Sequence, residues 1–159
     1  MHLTSDLAQL FARDLKRLRQ EIEAFPDDAT LWRTVPGVTN PAGNLTLHLE
    51  GNLREYIGRQ LAGIAYQRHR DSEFNQRDLT RSELCNRIAS LTEQIPAAIG
   101  SLNDADLARQ HPEAVLGHPT STHQVLASLL GHLNYHLGQI DYLRRTLTTA
   151  GAIPLAGLD

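Results

Sequence analysis

The 159 residues, 41% apolar and 21% charged, suit one globular domain over 1–159 and are enough to bury a sizeable core. A net charge of −3 leaves no broad basic field for nucleic acid or an anionic membrane. No apolar run is long enough to span a bilayer, and the opening MHLTSDLAQLFARDLK lacks the basic-then-apolar order of a signal peptide, so a cytoplasmic location is expected.

Leu7, Phe11, Leu15, Leu18, Ile22 and Phe25 recur at steps of three and four, which predicts a first helix from about Ser5 to Ala24, stopping before Pro26. The charges Asp14, Lys16, Arg17, Arg19 and Glu21 then form a solvated face. PDDATLWRTVPGVTNPAG, with three prolines and the only tryptophan, reads as an ordered connector in which Trp32 plugs the end of the fold.

Asn44 is placed to cap a second helix, NLTLHLEGNLREYIGRQLAG, whose buried face is Leu45, Leu49, Leu53, Tyr56, Ile57 and Leu61. His48 falls about 60° from Leu45, at the edge of that face, with Asn52 one turn on and Glu55 and Arg59 continuing the line. Gly51 and Gly58 cost helix propensity, and their lack of a side chain would admit a neighbouring segment closely. The next stretch, IAYQRHRDSEFNQRDLT, is rich in charge and is expected to be a solvated loop containing His69. A salt-bridge cluster of Arg68, Arg70, Asp71 and Glu73 over Phe74 is the other reading.

Thr80 to Glu83 form a capping box for a third helix with Leu84, Ile88, Leu91, Ile95 and Ile99 inward; Pro96 should kink it or end it near Gln94. Cys85, the single cysteine, lies beside that stripe and reads as a packed side chain. Gly100 to Pro119 is expected to be irregular, with His111 and His118 solvated.

Thr120 to Leu147 reads as one long amphipathic helix whose stripe of Val125, Leu129, Ile140, Leu143 and Leu147 is interrupted by His132 and His136. These two lie about 40° apart on the wheel, with Gln139 just beyond His132, whereas His123 faces the other way. Histidines four apart can aim at one ion, and the same pair could instead be buried, hydrogen-bonded side chains. The tail from Thr148 to Asp159 should leave the helix. The elements together give an all-α four-helix bundle with long connectors between helices 1–2 and 3–4.

If the histidine edges of helices two and four meet, His48, His132 and His136 offer three nitrogens to one divalent ion. Asn52, Glu55 and Gln139 would then be supporting groups behind the ligands. Zinc is the default ion, with nickel, iron and manganese open. The Glu-x-x-His pairs of di-iron bundles, His-Glu-x-x-His and Cys-x-x-Cys are all absent.

NPAGNLTLHLEGNLREYIG, followed by YQRHRDSEFNQR and LLGHLNYHLGQIDYLRR, resembles the DinB-like superfamily of bacterial four-helix proteins. The resemblance rests on the lone helix-two histidine, His48, and on the His-x-x-x-His-x-Gly-Gln run of His132, His136, Gly138 and Gln139. It implies a divalent metal, zinc or nickel, on three histidines, and a homodimer. The superfamily includes bacillithiol S-transferases, mycothiol-dependent maleylpyruvate isomerases and a domain of ergothioneine-forming enzymes. The resemblance therefore implies a metal-dependent enzyme of the thiol S-transferase type acting on a small molecule, with a low-molecular-weight thiol as partner and Glu55 and Tyr135 worth testing as bases. The alternative is a non-enzymatic, dimeric, stress-related protein whose metal is structural.

Overall fold

A computed structural model describes residues 3–154. The first helix, α1 (Leu3–Glu23), buries Leu7, Phe11, Leu15, Leu18 and Ile22, the stripe its spacing predicts. It also buries Asp14 and Glu21, two of the charges expected on a solvated face. Both are buried because the last helix of the chain brings them partners. Asp14 pairs with Arg13 at 2.8 Å and accepts from Asn134 Nδ2 at 2.8 Å, and Glu21 accepts from Arg144 Nε at 2.5 Å.

The connector holds one short helix, α2 (Asp28–Leu31), capped by Asp27, which accepts from the Thr30 backbone N–H at 2.7 Å. Trp32 follows and anchors the connector: its Nε1 donates to Leu79 O at 2.9 Å, and its ring covers Gly43 so closely that a Cβ there would lie 2.4 Å from it.

The next helix, α3 (Ala42–Leu53), is buried along its whole length, so it is the central element, not a half-exposed one. Its cap is Pro41, three residues before Asn44, the expected cap. Asn44 lies inside the helix and donates to Glu73 O and Gln76 O, both at 2.9 Å. Tertiary partners outweigh its capping preference. The helix does not run regularly to Gly63. It widens into a π-helical segment, Arg54–Arg59, then closes as α4 (Gln60–Ala62) before Gly63 turns it at φ 66°.

The polar stretch expected as a solvated loop contains α5 (Arg70–Asn75), with Glu73 buried. The third long helix, α6 (Arg81–Gly100), carries the expected Thr80–Glu83 capping box and does not end near Gln94 but continues past Pro96. Proline removes one hydrogen bond, at a cost of about 3 kcal/mol. Ile95, Ala98 and Ile99 are buried around it, and fully burying one such aliphatic side chain is worth about 1.5–3 kcal/mol, enough in sum to hold the last turn. Cys85 is buried, as its place beside the stripe suggests.

Between residues 100 and 121 the chain is less irregular than expected. It forms α7 (Asp104–Ala108), with a capping box from Asn103 to Asp106, and an antiparallel bridge from Gln110 to Ser121. His111 is buried rather than solvated: its Nε2 donates to Tyr56 O, in the π-helical segment, at 3.2 Å, and its Nδ1 accepts from Glu113 N at 3.4 Å. His118 is exposed as expected. The last helix, α8 (Thr122–Thr148), ends where Thr149 turns left-handed at φ 57°. The tail beyond it is non-helical to Pro154, and the remainder, with Gly157, lies outside the described residues.

The fold is all-α, and the described residues contain no strand beyond that one bridge. α1 packs on α6 and α8, while α3 packs on α5, α6 and α8. His48 therefore faces α8. No described helix is long and apolar enough to cross a membrane.

Candidate metal centre

α8 presents His132 and His136 one turn apart, and their Nε2 atoms lie 3.0 Å from each other. From α3, His48 turns its Nε2 to within 3.2 Å of His132 Nε2. The three possible ligand nitrogens all lie within 4.8 Å of one another. The rings meet edge to face, with centroids 4.5 to 5.2 Å apart.

The far nitrogens decide what the near ones can do. His48 Nδ1 donates to Glu73 Oε2 at 2.9 Å, and His136 Nδ1 donates to Gln139 Oε1 at 2.6 Å. A neutral imidazole carries one proton, so both rings turn a bare Nε2 toward His132. His132 has at most one Nε2–H to give, so one lone pair still faces nitrogen with no proton between them. Protonation does not relieve this. Burial, then the neighbouring His136 and His48, pushes the His132 pKa down to about 4, and burial also lowers that of His136 against the opposing bond to Gln139.

A divalent cation does relieve it. Nitrogens about 2.0–2.1 Å from a tetrahedral ion stand about 3.3 Å apart, and the two close Nε2 pairs, at 3.0 and 3.2 Å, are near that spacing. The donor set is three neutral nitrogens, as suits zinc or nickel. The residues present fit such an ion.

The predicted supporting groups divide. Gln139 Oε1 lies 2.6 Å from His136 Nδ1. Asn52 is buried one turn beyond His48, and its Oδ1 has no partner among the described residues. Glu55 bonds none of the three imidazoles: it pairs with Arg59 and accepts from Gln60, and the Arg59 bond holds its carboxyl below the usual range despite burial. It is not a group behind the ligands. Tyr135 is 64% exposed, its ring 5.2 Å from that of His136. His69 and His123 are exposed and stand apart from the cluster.

Glu73, with Arg68, is what the sequence reading missed as a site residue. Arg68 grips its carboxylate through Nε at 2.7 Å and Nη2 at 2.9 Å. Burial pushes the Glu73 carboxyl up, but the bonds from His48 and Arg68 outweigh it and leave it below the usual range. Phe74 lies 5.0 Å from the His48 ring. The available signal was Gly51, whose missing side chain does admit a close neighbour. At Gly58 the nearest atoms stand at ordinary contact distance.

A cavity of about 650 Å³ opens beside the cluster between the 35–40 connector and α8, lined by Val35, Val38, Leu45, Tyr142, His136 and Gln139 among others. Of the three histidines, only His136 borders it.

No curated protein matches the chain. Solved structures share its fold, and two of them show the extent of the similarity. One is a DinB-like protein from Bacillus cereus ATCC 10987, 16% identical, with a TM-score of 0.70 over 92% of this chain and 95% of that one. The other is a conserved protein from Enterococcus faecalis, 14% identical, with a TM-score of 0.74 over 94% of this chain and 99% of that one. The family described as "Protein of unknown function (DUF1572)" matches residues 4–155. The chain belongs to the DUF1572 family, and its fold is that of DinB-like proteins.

Proposed function

We propose that this chain is a divalent-metal-dependent enzyme of the thiol S-transferase type, acting on a small molecule at an ion held by His48, His132 and His136. One observation carries the reading: two imidazoles, each with its outer nitrogen proton committed, direct bare nitrogens at a third across the α3–α8 contact. Zinc or nickel is the ion proposed. When bound, such an ion lowers the pKa of a thiol or water that joins it and so supplies a nucleophile. The chain's own part is to fix ring orientation through Gln139 and to keep His132 and His136 neutral by burial. The cavity beside His136 offers an apolar wall to an electrophilic small molecule.

The test is a screen of low-molecular-weight thiols against electrophilic acceptors, with zinc, with nickel and with neither. Turnover that needs added metal and disappears in His132→Ala is the expected result. Absence of turnover above the metal-free control overturns the enzyme reading.

A second reading has its own support. The cavity reaches only one of the three histidines, which suits an ion that clamps α3 to α8 without meeting a substrate. A bound metal that raises the melting temperature but gives no turnover favours this structural role. In either reading we place the protein in the cytoplasm as a homodimer. Tyr135 and Tyr142, 64% and 68% exposed and two turns apart on α8, make an apolar face available to a second copy.

A further inference from the structure

We propose that Glu73 is a positioning residue of the metal centre, with Arg68 and Gly51 holding its carboxylate against His48. The proposal rests on the three-histidine reading above.

Glu73 belongs to a segment whose composition promises a solvated loop, yet it is 5% exposed. Three features fix it there. Arg68 binds both oxygens in a two-pronged grip, which fixes the plane of the carboxylate as well as its place. Asn44, inside α3, donates to Glu73 O and Gln76 O and so pins the backbone of the segment to the helix that carries His48. Gly51 supplies the space. A Cβ at that position would lie 2.1 Å from Glu73 Oε1 and 2.8 Å from its Cδ, so any side chain at residue 51 would displace the carboxylate. A glycine inside a buried helix is costly, and this contact is the reason for it.

A carboxylate can only accept. Its 2.9 Å contact therefore keeps the proton on His48 Nδ1 and the lone pair on Nε2, the atom that faces His132. Partners of this kind behind metal-binding histidines set the tautomer and ring orientation. A salt bridge that merely ties α5 to α3 would have no need to end on an imidazole nitrogen.

The test uses the full chain in two measurements. Long-range proton–nitrogen spectra of the metal-free protein read the His48 tautomer. Zinc titration against a competing chelating dye reads affinity, with circular dichroism as the control for folding. The wild type should show the Nδ1–H form, and Glu73→Ala should lose it, with zinc affinity falling about 10–100-fold. Glu73→Gln keeps an acceptor oxygen and should keep the tautomer with a smaller loss. Gly51→Ala displaces an intact Glu73 and should weaken zinc binding, but should add no further loss to Glu73→Ala.

An Nε2–H tautomer in the wild type, or a folded Glu73→Ala with affinity within about twofold of wild type, overturns the assignment. Should Glu73→Ala not fold, unchanged affinity in Gly51→Ala does the same. A wild type that binds no zinc removes the metal reading, and the tautomer comparison still decides the role of Glu73.

Discussion

Nε2 of His48 lies 3.2 Å from Nε2 of His132, although the two residues stand 84 positions apart in the chain. A buried and a half-buried imidazole so placed, with a third Nε2 at 3.0 Å from the second, are stable together when a cation takes up the lone pairs. Protein purified without a histidine tag should carry one divalent ion per chain by elemental analysis. His132→Ala removes the central nitrogen and should lose most of it. Equal and negligible metal in both proteins would sink the metal reading.

The acid titration of the metal-free protein follows from burial at His132. Its folded pKa is pushed down to about 4 from an ordinary 6.5, by burial first and then by His136 and His48. Between those values the unfolded chain binds a proton that the folded chain refuses, so stability rises with pH across the window and is lost as pH falls from 6.5 toward 4. Replacing His132 with Gln should flatten that slope in urea unfolding measured at several pH values. A slope as steep in the variant as in the wild type would assign the acid sensitivity elsewhere.

Gly51→Ala should reverse sign with its background. In an ordinary helix interior the change stabilises by about 1 kcal/mol. Here the added methyl group meets a carboxylate that Arg68 and His48 hold in place, and overpacking of this kind costs about 1–3 kcal/mol. In a Glu73→Ala background the obstacle is gone and the helical gain should return. Denaturant midpoints of the four proteins measure the coupling, and simple additivity would show that the contact carries no energy.

Arg144 and Glu21 form a buried ion pair, 2% and 0% exposed, that ties α8 to α1. Arg144 also donates to Asp141 at 3.1 Å and to Gly151 O at 3.0 Å, whereas one oxygen of Glu21 has no partner among the described residues. Breaking a buried pair leaves an uncompensated charge and costs about 3–5 kcal/mol. Glu21→Ala should fall at the lower end of that range, because Asp141 stays beside the guanidinium, and Arg144→Ala should cost more. Equal, small losses in urea unfolding would show that the pair is dispensable.

Much of the fold was legible because helices write their burial into a local period. The stripe Leu7, Phe11, Leu15, Leu18 and Ile22 announces α1, Leu84, Ile88 and Leu91 announce α6, and the Thr80–Glu83 box marks where α6 begins. The edge positions of His48, His132 and His136 were readable in the same way, since each is fixed by residues within two turns of it.

What the tertiary structure alone decided concerns polar groups whose partners lie far along the chain. Glu73 and His111 sit in segments whose composition spells exposure, and each is buried because a distant atom, His48 Nδ1 or Tyr56 O, satisfies it. Asn44 gives up a capping role for two carbonyls about thirty residues away, and α6 runs through Pro96 because Ile95 and Ile99 are held in the core. By itself the sequence determined where the long helices α1, α6 and α8 form and which apolar stripe of each turns inward, because those depend on neighbours three and four residues apart. The pairing of charges, the carboxylate behind His48 and the meeting of α3 with α8 required the folded chain, because hydrogen bonding between remote segments leaves no period in the sequence that carries it.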